Sequence, residues 1–295
     1  MPIDPASARA FVMAEARLLD QVRLAAALGE PVDAEALRAA LSAYAAPGGG
    51  YGAGLEPDLR APEAQPAAAM HALEALADLG APAPEAAALC DWLARTSLPD
   101  GGLPFARPVW DPAGCAPFWL AADPGRSSLQ ITAAVAAQAH RAARHDPAVA
   151  MHPWLMLATA YGLGAMEQIQ GPVPVLSLMF SLRLLAEMEP RFPRAQVQLE
   201  RLAGQLPRSG RLPVEGGADD EFMRPLDFSP TPDDPVRPFI APERIEEDLD
   251  RLEAGQDSDG GWRAEWLSYS DEARREWRGY LTVRALALLH ANGRL

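Results

Sequence analysis

Gln256-Asp257-Ser258-Asp259-Gly260-Gly261-Trp262 is the stretch from which the rest of the chain can be read. A polar run, two adjacent glycines and a large aromatic mark a sharp chain reversal. The pattern recurs at Ser97-Leu98-Pro99-Asp100-Gly101-Gly102-Leu103-Pro104-Phe105 and at Pro47-Gly48-Gly49-Gly50-Tyr51-Gly52. A degenerate copy stands at Gln205-Leu206-Pro207-Arg208-Ser209-Gly210-Arg211-Leu212-Pro213. The large apolar residues of the copies, Tyr51, Leu103, Leu212 and Trp262, are roughly 52, 109 and 50 residues apart. The doubled middle gap predicts a further copy near residue 157, and we assign it to Tyr161-Gly162-Leu163-Gly164. A period of about 50 residues fits one helical hairpin with its loops.

Helical segments fit this frame. Apolar-periodic stretches precede the turns at 34–44, 84–94, 147–160, 195–204 and 242–254, with Pro84, Pro147 and Pro242 in or near the first turn, where a missing N–H is harmless. Others follow at 65–79, 127–143, 173–188 and 271–291, with Ser127 or Ser128 as an N-cap. A leading helix spans 7–28, with Ser7 as its cap. The segments after the turns are richer in alanine, as in Ala133-Ala134-Val135-Ala136-Ala137, which reads as burial on all sides. Those before the turns carry charge on one face, as from Glu243 to Arg251. Outer and inner helices therefore alternate. The fold expected is all-α: an α/α toroid of about five to six helical hairpins around a central cavity, one domain over residues 1–295.

Composition agrees and excludes much. About half of the 295 residues are hydrophobic, enough for a large core. A net charge of -14 without a basic patch argues against nucleic-acid binding. All 26 Lys/Arg cations are arginine, which removes lysine-based covalent chemistry and leaves anion binding to arginine or helix N-termini. Cys90 and Cys115 form no CxxC pair. The N-terminal segment, with Asp4, Glu15 and Arg17, lacks the apolar core of a signal peptide, and no apolar run reaches the length of a membrane span. A cytoplasmic location, no integral membrane segment and no cofactor are expected. The sequence holds no HExxH, GxSxG or P-loop pattern, and its histidines, 71, 140, 145, 152 and 290, are scattered and read as structural or exposed.

The stretch from Leu249 through Gln256 to Trp262 resembles the QW repeat of squalene and terpene cyclases, and the Gly-Gly-aromatic turns are similar to those of protein prenyltransferase β subunits. The full Q-x-x-x-G-x-W spacing occurs once; the resemblance runs from about Leu41 to Leu289. It implies an α/α toroid with an apolar cavity that holds an isoprenoid-like small molecule. The catalytic motifs of those families are missing. Thr231-Pro232-Asp233-Asp234 keeps two carboxylates of the Asp-x-Asp-Asp acid, and Asp219-Asp220-Glu221-Phe222-Met223 lacks the last carboxylate of a magnesium motif. No cysteine stands where a prenyltransferase zinc ligand belongs.

Three unequal loops follow the turns, at 52–63, 103–126 and 213–241. Loops of this length in a compact chain carry function or are disordered. In the first, Glu56, Asp58 and Arg60 read either as an acid/base pair with an anion clamp or as caps of a helix starting near Pro62. In the second, Trp110, Asp111, Phe118, Trp119, Asp123 and Arg126 suit cation–π stabilisation of a carbocation, or a satellite hydrophobic cluster. In the third, Asp233 or Asp234 beside Phe228 is either a buried carboxylic acid with a raised pKa or part of a solvated acidic loop. Candidate catalytic residues are Asp233, Asp234, Asp58 and Asp111; candidate ligand contacts are Tyr51, Glu56, Arg60, Trp110, Trp119, Phe228 and Trp266. Trp266, Tyr269 and Ala273 are assigned to one face at the start of the last helix.

Three functions are compatible with this pattern. The first is a cyclase-like enzyme that cyclises or isomerises a prenyl substrate with a cavity carboxylic acid and aromatic stabilisation. The second is a non-catalytic module that binds a lipid, peptide or protein. The third is a carbohydrate-active barrel, which needs paired carboxylates about 5 to 9 Å apart.

Overall fold

The computed structural model describes residues 3–188, 192–217 and 221–295. Among them the helices are α1 (Pro5–Glu15), α2 (Leu18–Ala27), α3 (Ala34–Ser42), α4 (Pro66–Ala77), α5 (Pro84–Thr96), α6 (Pro117–Leu120), α7 (Leu129–Ala143), α8 (Pro147–Ala150), α9 (Pro153–Glu167), α10 (Val175–Met188), α11 (Pro193–Ala203), α12 (Pro225–Phe228), α13 (Pro242–Ala254) and α14 (Asp271–Ala291). The only strand pair among the described residues, β1 (Leu212–Pro213) with β2 (Phe222–Met223), is two residues long. The chain is all-α, and none of these helices is long and apolar enough to cross a membrane.

The helices group into two compact units, Leu41–Leu202 and, from the two ends of the chain, residues up to Ala40 with those from Ala203. In the Leu41–Leu202 unit the alanine-rich α7 is buried over most of its circumference, as its composition predicts, and packs against α4, α10 and α9. Small side chains let these helices approach closely. Helix α5 carries one buried face, Leu89, Cys90, Trp92 and Leu93, against α4 and α9. In the other unit α14 packs on α1 and α2 and touches α13.

The glycine turns repeat in atomic detail. Leu98 N donates to Gly102 O at 2.8 Å and Asp257 N to Gly261 O at 2.9 Å; the amides of Gly102 and Gly261 donate to Asp100 Oδ1 and Asp259 Oδ1. Gly101 and Gly260 have φ of +87° and +95°, where a Cβ is strained. A Cβ on Gly101 would stand 3.1 Å from Leu157 O on α9, and one on Gly260 would stand 2.3 Å from Ser7 O on α1. The next residue then donates to a threonine of the helix that follows: Leu103 N to Thr132 Oγ1 at 2.8 Å, Trp262 N to Thr282 Oγ1 at 3.0 Å. Each threonine hydroxyl donates in turn to the carbonyl four residues back. Gln256 ties its turn to α1 by reciprocal bonds with the backbone of Asp4, and Trp262 Nε1 donates to Leu252 O.

Several sequence expectations need correction. Tyr161-Gly162-Leu163-Gly164 is no turn: it lies inside α9, whose buried Trp154, Leu155, Ala158, Thr159, Gly162, Leu163 and Met166 hold helical spacing straight through it. Pro153 splits the segment 147–160 into α8 and α9. The leading helix 7–28 is two helices, broken at the extended Ala16, and Asp4, not Ser7, caps the first. The helix expected near Pro62 begins at Pro66. The last begins at Asp271, so Trp266 and Tyr269 lie in the preceding loop and share no helical face with Ala273. Ser128, the second of the two serines considered, caps α7.

Candidate functional site

The segment from Gly52 to Ala64 has no regular structure, yet most of it is buried, including the charged Glu56 and Asp58 at 7% and 4% exposure. Buried irregular chain must satisfy its own backbone groups. It does so by closing on itself, with Ala53 N to Ala61 O at 2.8 Å and Leu59 N to Glu56 O at 2.9 Å, and by taking Ala116 N onto Asp58 O at 2.8 Å. Ala53 holds a φ of +52°, left-handed backbone that costs a non-glycine residue free energy. Arg60 runs between two residues without side chains. A Cβ on Gly54 would lie 3.2 Å from its guanidinium carbon, and one on Gly114 2.7 Å from its Cδ.

Helix α4 supplies the partner of this loop. His71 Nε2 lies 3.1 Å from Glu56 Oε2, and its Nδ1 lies 3.5 Å from Glu74 Oε2, one turn on. Glu56 Oε1 also accepts the Asp58 amide. Burial disfavours the imidazolium, but hydrogen bonds and charge from Glu56 and then Glu74 outweigh it, and the His71 pKa rises to about 8. The group is thus two carboxylates sharing one buried imidazolium. Among the described residues no three His, Cys, Asp or Glu side chains converge as metal ligands.

The first two loops form one assembly. Arg107 N donates to Gln65 Oε1 at 2.8 Å and Gln65 Nε2 to Arg107 O at 3.2 Å, while Arg107 also donates to Ala64 O and lies over the Trp92 ring. Phe105 stacks on Trp119 at 4.7 Å between centroids. Beside them, Phe105, Asp123, Arg126, Gln130 and Ser177 contribute to a cavity of about 470 Å³ at the start of α7.

The structure therefore brings Glu56, Asp58, Arg60 and Trp119 into one assembly and leaves other candidates apart. Trp110 is 84% exposed, and Asp111 is exposed with Oδ1 on Ala113 N. Tyr51 is buried, and burial, then the charge of Glu85, push its phenol to about 12. In the other unit, Asp233 is exposed and Asp234 Oδ1 accepts Val236 N in a turn ahead of a short 3-10 segment. Phe228 is fully buried there, and the Trp266 and Trp277 rings meet edge to face with centroids 5.2 Å apart. Asp219 and Asp220 lie outside the described residues. His71, read above as structural or exposed, is buried and paired, while Glu74 and Gln65 are not singled out by the sequence. The available signal was a histidine within an alanine-rich helix already assigned to the core, where an imidazole needs a polar partner. Compared with known proteins, the chain matches no family model and no curated protein sequence.

Proposed function

We propose that the chain is a cyclase-like α/α toroid that isomerises or cyclises an apolar, isoprenoid-type substrate by proton transfer from the carboxyl groups of the loop at 52–64. Glu56, buried and held by His71 at 3.1 Å, carries this reading. The proton it delivers is the one His71 holds: the imidazolium passes its Nε2 proton to Glu56, Glu56 gives a proton to the substrate carbon, and a neutral imidazole is left until the product cation returns a proton. Asp58 lies two residues on with its backbone tied to the second loop, and the Phe105–Trp119 stack is the aromatic surface nearest in kind to what a carbocation requires. The alternation of all-round buried and one-face-buried helices, and the repeated glycine turns, support the toroid.

Incubation of the purified chain with geranyl, farnesyl and geranylgeranyl diphosphates and with squalene, followed by mass spectrometry of extracted products, tests it. Turnover that falls about 100-fold or more in Glu56→Gln is the expected result. No turnover of any of these substrates overturns the reading. A non-catalytic module that binds an apolar ligand is the second reading. It is favoured by the low exposure of Glu56 and Asp58, which limits a substrate's approach to either carboxylate. An apolar compound that copurifies and is returned unchanged supports it.

A further inference from the structure

Helix α9 has an unusual surface. Its 15 residues contain one ionisable acid or base outside the tyrosine, Glu167, and the side turned from the core shows Met156 and Leu157 at 64% and 60% exposure. Beside it, α7, α9 and the residues that open α11 line an open pocket of about 450 Å³, within the range of small-molecule sites. Its walls are apolar, with Ala143, Leu155, Met156, Leu163 and Phe192 among them. Two buried polar side chains line it, His140 and Thr159, each 6% exposed, with His140 Nε2 2.8 Å from Thr159 Oγ1. Arg194 also contributes to the lining, and its charge is matched by Glu167 at 2.6 Å.

We propose that this pocket binds an uncharged single-chain amphiphile, an aliphatic or prenyl alcohol, with its chain against Leu155, Leu163 and Phe192 and its hydroxyl on the His140–Thr159 pair. A threonine hydroxyl both donates and accepts, so an alcohol joins the pair without leaving a buried group unsatisfied. A carboxylate would give up part of its hydration, and Arg194, the arginine on the lining, is already paired with Glu167. The unbranched, exposed Met156 adapts to chains of different shape. None of these residues belongs to the loop that carries Glu56, so the site stands or falls apart from the proposed reaction.

Calorimetric titration of the full chain with 1-decanol and with decanoate at pH 8 tests the proposal. Saturable one-to-one binding of decanol is expected, with decanoate at least about tenfold weaker. Thr159→Val should weaken decanol about tenfold. Because Thr159 is buried, Ala160→Phe at an exposed position of the pocket wall is the second variant, expected to abolish binding with an unchanged circular dichroism spectrum and Tm. Decanol that does not saturate, decanoate that binds as tightly, or full binding by Ala160→Phe would each overturn it.

Discussion

At residue 71 one imidazole stands between two carboxylates, and its titration is a measurable part of stability. Its folded pKa, about 8, lies above the ordinary value near 6.5 because Glu56 and Glu74 outweigh burial. A raised folded pKa means the stabilisation is complete below about pH 6.5 and is lost as pH rises through about 8. The shift corresponds to about 2 kcal/mol. Chemical denaturation from pH 6 to 9 should show that loss in the native chain and not in His71→Asn; an equal slope in both would mean the imidazole is not held charged. Ala53 makes a second residue-scale case. Its φ of +52° predicts that Ala53→Gly raises stability by about 1 kcal/mol, read as an increase in Tm. A decrease would show that the alanine methyl packs well enough to offset its backbone strain. Glu56 is legible in the sequence as a carboxylate in a long loop. Its partner is not, because His71 lies 15 residues on in another element, and spacing within a helix says nothing about what faces it across a loop.

The glycine turn is the element that the sequence shows best, because positive φ narrows the choice of residue to glycine almost alone. Where the pattern was extrapolated by period, it failed. Gly162 and Gly164 also stand in a Gly-x-Gly pair beside large apolar residues, but the side chains around them keep helical spacing, and burial of that face decided the local structure. The two settings call for opposite responses to one substitution. Gly260→Ala places a methyl 2.3 Å from Ser7 O at a φ of +95° and should cost about 1–3 kcal/mol. Gly164→Ala meets nothing within 4 Å in a helix interior and should add about 0.5–1 kcal/mol. Urea unfolding of both variants checks the pair; destabilisation by Gly164→Ala would contradict its place in α9. The threonines Thr132 and Thr282 escaped the sequence because a threonine on a largely buried helix reads as filler until the amide that meets it is known.

At the scale of the whole chain the helical class was legible, since an alanine- and leucine-rich composition favours helices over strands. The division into units was not, because it depends on which distant segments pack together. One unit joins the two ends of the sequence: α14 packs on α1 and α2, Gln256 is bonded to the Asp4 backbone, and Gly260 rests against Ser7. Removing residues 1–17 would therefore strip the covering from Gly260, Gly261 and the buried face of α14. In that truncated chain, hydrogen exchange should show amides of α13 and α14 losing protection by about 100-fold or more. The middle of α7 belongs to the other unit and is surrounded by α4, α9 and α10, so its amides should exchange at their original slow rates. If α14 keeps its protection, α1 contributes little to that unit and the Gln256–Asp4 tie is incidental. If α7 loses protection in step with α14, the two units unfold as one cooperative body, and the packing within each is not what sets its stability.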